Sequence, residues 1–442
     1  MSTPEWRERL KNALEGQRQD AIALLQALIA RSKEGEQAVQ SLVADRMQAL
    51  GCAVERLSYW PRAVRVPYEL SLPNTVDPGE HLNVVGKLPG SGGGRSLLVF
   101  AHPDSELVTD IEAWQYDPYG GTIDRGRIHG CGVADDLVGV AIMVASLDVI
   151  RVAGLGLQGD VTLASTISKR RAQGIVNVLD HGYLADASLY LHPAESGVGL
   201  GEIKGITQGL LSFRITVRGK IPETTEPTHT PFLHLGISPL EKMFHIYQAL
   251  SQLADRRAQQ VNYPPLEEAV GRSTNLNVAS IHYGDPNLPT RVSDTCILTG
   301  SLTFPPTESL TEVHGRLATV IHEAAAADPW LRDHPPEVEW LVGVSGSGLP
   351  REHPLYQTAS RAVERVTGNE PKLNPLHASS DIRNPALYKG IPTVGLGPLA
   401  GSLSQIGLTD EWVDVEDYIR AIEVVGNILL DWCGAAAAKR VA

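Results

Sequence analysis

Cysteine is scarce in this 442-residue chain: Cys52, Cys131, Cys296 and Cys433 stand far apart and form no Cys-x-x-Cys pair. That excludes a disulfide scaffold and a structural zinc site, and is the usage expected of a reducing cytoplasm. There is no basic run, and the formal net charge is -13, which argues against nucleic acid or an anionic membrane as partner. Long unbroken apolar stretches are missing too. The most apolar segment, Leu137 to Leu157, carries Asp148, Arg151 and several glycines, so it reads as a buried helix and not a membrane span. No export signal is visible: Ser2 and Glu5 form an expected capping box ahead of an amphipathic helix carrying Leu10, Leu14, Ile22, Leu25 and Ile29. The alanine-rich tail before Lys439 is expected to fray.

What is present is the composition of a globular enzyme-sized protein, with 43% hydrophobic and 20% charged residues. This length exceeds one ordinary core, so two domains are expected. Short apolar runs at 96–100, 160–164 and 187–191 alternate with helical patterns at 137–152 and 174–181, the signature of an α/β layer with a mostly parallel sheet. In such sheets the loops after the strands carry the site. From about Gly205 the pattern becomes β-α-β-β-α-β, with strands near 210–217, 274–283, 296–304 and 338–344 and helices near 236–254 and 309–326. That order predicts an inserted ferredoxin-like sandwich. The expected division is a catalytic α/β domain of residues 1–205 and 347–442, with a lid or dimerisation domain at 206–346. A helix near 355–366, a strand at 392–397 and a last helix at 415–433 complete the first domain.

Three residues are of metal-ligand type: His102 in Ala-His-Pro-Asp, Asp135 in Val-Ala-Asp-Asp, and His192 in Leu-His-Pro; His102, Lys169-Arg170 and His192 each sit just after one of the apolar runs. Two imidazoles and a carboxylate suit one divalent transition metal with open positions for water and substrate. Between them lies Lys169-Arg170-Arg171, whose cations ligate nothing but can hold an anion.

Four motifs in order resemble the aminoacylase, acetylornithine deacetylase and carboxypeptidase G family of co-catalytic zinc hydrolases. They are His102-Pro103-Asp104; Trp114 and Asp117-Pro118-Tyr119 leading to Gly130 through Asp136; His229-Thr230-Pro231 followed by Leu235 through Leu240; and Ser380-Asp381-Ile382-Arg383 followed by Gly390 through Thr393. The resemblance implies that His102, Asp135 and His192 hold one metal and that Asp104 orients His102. It also implies that the partner metal has lost its private ligands. The family's paired glutamates read Lys169-Arg170, and residues 402–411 contain no histidine. One loosely bound ion (manganese, zinc or cobalt) is therefore expected, with Arg170 as a fixed charge in place of the second.

The family's general base falls on Lys169, which could accept a proton only with a lowered pKa; the adjacent Arg170 pushes that way. Asp104, Lys169 and Glu195 are the candidate catalytic groups, with Glu106 as a further carboxylate near the ligands. Arg170, His229, His234, Ser380 and Arg383 are the candidate substrate-binding residues, and His377 is a weaker one. The family's substrate-binding Arg and Asn positions read Thr303 and about Thr290, so an acyl-amino acid bound in the usual way is not expected. These departures resemble family members that replace an aromatic amine by hydroxyl. The expected reaction is hydrolytic deamination of a carboxylated amino-aromatic, 5-nitroanthranilate to 5-nitrosalicylate plus ammonia, by a metal-bound hydroxide. The alternatives are an amidase, deacylase or peptidase on a small N-acyl substrate, and a binding protein with a degenerate site. The resemblance further implies a homodimer or larger assembly through the inserted domain, with His229 or His234 serving the partner's site.

Overall fold

The strand runs built from consecutive apolar residues turn out to be buried on both faces, and that decides the architecture. In the computed structural model, which describes residues 3–193, 196–226 and 228–437, every residue of strands Leu97–Ala101, Val161–Ser165 and Ala187–Leu191 is buried. Side chains alternate across a strand, so neighbouring residues feed two different cores. Leu97 and Val99 pack into a cluster with Leu25, Ile142, Ile422 and Leu429, while Leu98 and Phe100 join Val85, Val178 and Tyr190. Covering both faces with helices removes the polar alternation of a half-exposed strand. Each such aliphatic side chain contributes about 1.5–3 kcal/mol on burial.

The chain divides into two compact units. The first comprises Met1–Val66, Val76–Ile206 and Ser347–Ala442; the second comprises Pro67–Thr75 and Thr207–Gly346. The first unit contains a mixed eight-stranded sheet in the order Ala53–Tyr59, His81–Leu88, Val161–Ser165, Leu97–Ala101, Ala187–Leu191, Thr393–Leu396, Glu202–Lys204 and Lys372–Asn374. Its centre is parallel: Leu97–Ala101 pairs in parallel with both Val161–Ser165 and Ala187–Leu191, which in turn pairs in parallel with Thr393–Leu396. The outer His81–Leu88 and Ala53–Tyr59 pairings are antiparallel. Parallel order at the centre places the ends of four strands on one edge. Helices Thr3–Ser32, Val138–Val152 and Val415–Cys433 supply most of one core.

The second unit is a five-stranded antiparallel sheet in the order Asn275–Tyr283, Thr295–Phe304, Gly209–Arg218, Glu337–Val344 and Glu69–Ser71. Leu211, Phe213, Ile215 and Val217 point to one side and pack with Met243, Ile246 and Leu250 of helix Pro239–Gln260 and with Val313, Leu317 and Ile321 of helix Leu310–Ala327. Ser309 and Glu312 close a capping box at the start of the latter helix.

Two features depart from the sequence reading. Glu69–Ser71, far upstream of the insertion, adds a fifth strand beside Val342–Val344. Of the tail expected to fray, Ala435–Ala437 pairs antiparallel with Leu155–Leu157, because its backbone finds an open strand edge. The expected N-terminal capping residue Ser2 and the carboxylate Glu195 lie outside the described residues. Among the described residues, no helix is long and apolar enough to cross a membrane.

Candidate metal centre

Two parallel strands and a turn at a helix start deliver three side chains to one place. His102 follows Leu97–Ala101, His192 follows Ala187–Leu191, and Asp135 sits in the irregular turn Val133–Leu137 that opens helix Val138–Val152. Gly132 enters that turn at φ +70, and a Cβ there would collide with Ser105, so a glycine is required. The Asp135–Asp136 peptide is cis. Ligating atoms of His102, Asp135 and His192 all lie within 4.8 Å of one another, and all three residues are buried. His102 Nε2 is 3.0 Å and His192 Nε2 3.1 Å from the same oxygen, Asp135 Oδ1. A donor set of two imidazole nitrogens and one carboxylate at this spacing fits a divalent transition metal.

The far side of each imidazole is also engaged. Asp104 Oδ1 is 3.3 Å from His102 Nδ1, the outer contact that orients a ligating ring. Asp104 also accepts the backbone N–H groups of Ser168 and Lys169, at 3.1 and 2.6 Å. Its oxygens are thus occupied by positioning contacts, in keeping with the expectation that it orients His102. The Nδ1 atom of His192 meets the Pro193 carbonyl at 2.8 Å and the ammonium of the wholly buried Lys204 at 2.9 Å. The His377 ring stands at 67° to that of His192 in a T-shaped contact, with centroids 6.0 Å apart.

The second oxygen of Asp135 belongs to a cation, and that cation is Lys169. Its ammonium pairs with Asp135 Oδ2 and donates to Gln405 Oε1 at 2.9 Å, with only 11% of the side chain exposed. Arg170, expected in this role, turns out of the site: it is left-handed at φ +51, its side chain is 53% exposed, and its Nε pairs with Asp77 Oδ2 at 2.8 Å. The left-handed residue rotates the chain so that adjacent side chains diverge. Neighbouring charges set the state of Lys169. Burial pulls its pKa down, but the charges of Asp135, Asp104 and Glu106 prevail and hold the ammonium above its ordinary value.

The same electrostatics hold the ligands. Burial would raise the Asp135 carboxyl, yet the His102 and His192 contacts and the Lys169 charge keep it well below the usual carboxylate range. Burial would lower His102, but Asp104 and Asp135 hold it well above its ordinary value. Two further carboxyls went unread in the sequence. Asp136, pushed well up by burial and by the charge on Asp135, accepts the His102 backbone N–H at 3.3 Å. Glu411 accepts the N–H groups of Gly132, Ala134 and Asp135 at 3.2, 2.8 and 3.1 Å and of Ser404 at 3.0 Å. It fixes the loop that carries Asp135.

The remaining candidates make contacts of their own. Arg383 is buried, and its Nη1 donates to the Ser379 and Ser380 carbonyls at 2.6 and 2.9 Å; it closes its own loop, which also buries Ser380. His229 and His234 belong to the second unit, where His229 is paired with Glu226 at 3.0 Å. Glu106 lines an open cavity of about 650 Å³ together with Asp104, Asp77, Tyr119 and Arg170.

Comparison with known proteins places this arrangement. An N-formyl-4-amino-5-aminomethyl-2-methylpyrimidine deformylase of Halalkalibacterium halodurans is 25% identical over 451 residues, covering 96% of this chain and 97% of the relative. A succinyl-diaminopimelate desuccinylase of Leptothrix cholodnii is 26% identical over 407 residues, covering 87% and 92%. A Staphylococcus aureus tripeptidase superimposes with a TM-score of 0.67 at 15% identity over 94% of this chain and 98% of its own. A Bacillus subtilis protein described as a dinuclear metal-binding M20 peptidase does so with 0.56 at 15% identity, over 95% and 99%. Residues 100–431 match Peptidase family M20/M25/M40, a span that holds His102, Asp135 and His192, and the chain accordingly belongs to that family as a metal-dependent hydrolase of C–N bonds.

Proposed function

We propose that this chain hydrolyses a C–N bond in a small carboxylated substrate with a single metal ion, and that hydrolytic deamination of an amino-aromatic acid such as 5-nitroanthranilate suits its site best. The observation that carries the reading is the Lys169 ammonium on Asp135 Oδ2. A divalent ion held by His102, Asp135 and His192 supplies Lewis acidity and a lowered water pKa. Lys169 supplies positive charge and lends a proton, and the proton lost by the attacking water restores the ammonium. Such a site suits a carbon already made electrophilic, where a ring and its electron-withdrawing substituent accept the charge as C–O forms. Lys169 then stabilises that charge and gives a proton to the departing nitrogen as C–N breaks. Water and the amine become phenol and ammonia.

The names of the relatives favour a second reading, removal of a formyl or succinyl group from a small amine. A substrate panel separates the two. With manganese, zinc or cobalt added in turn, 5-nitroanthranilate is expected to release ammonia stoichiometrically, and N-formyl and N-succinyl amines to release little acid. Acid release from the acyl amines with no ammonia would establish deacylation instead. Inertness toward the whole panel under every metal would favour a binding protein.

The same reading includes assembly. Strand Asn275–Tyr283 forms one edge of the second unit's sheet and is largely exposed, an arrangement that pairs readily with another copy. Sedimentation equilibrium is expected to give at least twice the chain mass. Mixing inactive His102→Ala and His229→Ala chains is expected to recover activity in mixed dimers; a monomer, or no recovery, would place a complete site in each chain.

A further inference from the structure

We propose that Asp77 is a positioning residue for Lys169, acting through Arg170, with His81 bracing it; this rests on the reading above in which the Lys169 ammonium takes part in the chemistry. The turn that presents Lys169 is held in an unfavourable backbone conformation. Arg170, Arg171 and Gln173 all have left-handed φ, at +51, +58 and +57, a region that side chains beyond glycine rarely enter unless the surroundings impose it. Three such residues within four positions do not hold themselves. On the inner side Asp104 takes the Ser168 and Lys169 N–H groups. On the outer side Asp77 grips Arg170 twice: its Oδ2 accepts from Arg170 Nε at 2.8 Å, and its own N–H donates to the Arg170 carbonyl at 3.0 Å.

Asp77 is in turn held. Its Oδ1 accepts the Gly79 N–H at 2.7 Å and lies 3.3 Å from His81 Nε2, while His81 Nδ1 lies 2.7 Å from Glu36 Oε1. His81 is 6% and Asp77 11% exposed at the side chain, so these contacts are largely shielded from water. The outcome is a chain of alternating charge, from Glu36 at the start of helix Glu36–Ala49 to the residue next to Lys169. Releasing Arg170 lets its φ return to the right-handed region, which reorients the Lys169–Arg170 peptide and draws the ammonium off Asp135 Oδ2. This also gives Arg170 a role that needs no substrate anion.

The test is a double-mutant cycle on Asp77→Ala and Arg170→Ala in the full chain, read by hydrogen exchange over residues 166–173 and by steady-state kinetics. Each single variant is expected to speed exchange in that segment about tenfold and to lower kcat about tenfold with KM little changed, and the double variant to be no worse than either. Arg170→Gly is expected to keep more activity than Arg170→Ala, because glycine takes the left-handed conformation without strain. Asp77→Asn, which preserves shape, serves if Asp77→Ala fails to fold. Unchanged exchange in the Asp77 variants, additive losses, or a rise in KM at constant kcat would overturn the proposal. The exchange arm decides it even if the substrate panel fails.

Discussion

Lys169→Met is expected to lower kcat about 10²–10³-fold, the range for loss of one preorganised charge partner in an active site. The substitution keeps length and apolar bulk and removes only the ammonium that faces Asp135 Oδ2 and Gln405 Oε1. Folding should survive, since His102 and His192 still meet Oδ1. Metal binding should tighten in the same variant, because a repelling charge beside the ligand carboxylate is gone. Calorimetric titration with manganese or zinc, run beside the kinetics, checks both halves. Undiminished kcat would show that the ammonium is structural only, and weakened metal binding would show that it helps to shape the ligand set.

Chelation is expected to abolish activity, and restored protein to carry no more than one tightly held ion per chain. His102, Asp135 and His192 are the only group of three or more such ligands found together among the described residues, and the remaining oxygen of Asp135 is taken by Lys169. Asp135→Asn should lower metal affinity by at least about a hundredfold, the upper end of what loss of an outer partner costs. Apparent affinity should also weaken as pH falls. Asp104 and Asp135 hold His102 protonated to higher pH than usual, and a metal must displace that proton to bind. Elemental analysis showing two tight ions per chain, or affinity independent of pH, would contradict this account.

The two histidines were legible because each follows a run that reads as a buried strand, and Asp135 because its Asp-Asp turn opens the next helix pattern in a motif of the resembling family. The doubly covered sheet made those runs continuous, and parallel order brought their ends together. What could not be read was which member of Lys169-Arg170 faces inward, since that depends on one left-handed residue with no glycine to announce it. Asp77, Gln405 and Glu411 escaped for another reason: their partners lie far away in sequence, and nothing local marks an acidic or amide side chain as reaching them. Lys204 carried a weak signal, a lysine beside Ile203 in a strand whose last two residues are buried. Glu69–Ser71 is too short for any period to show.

The grip of Glu411 on the Asp135 loop also has a bearing on how the molecule comes into being. The Asp135 amide waits for a carboxylate 276 residues downstream, so that much more of the chain must be made before the ligand loop acquires its support. A nascent or prematurely ended polypeptide can exhibit the sheet and both flanking histidines while its aspartate remains unanchored.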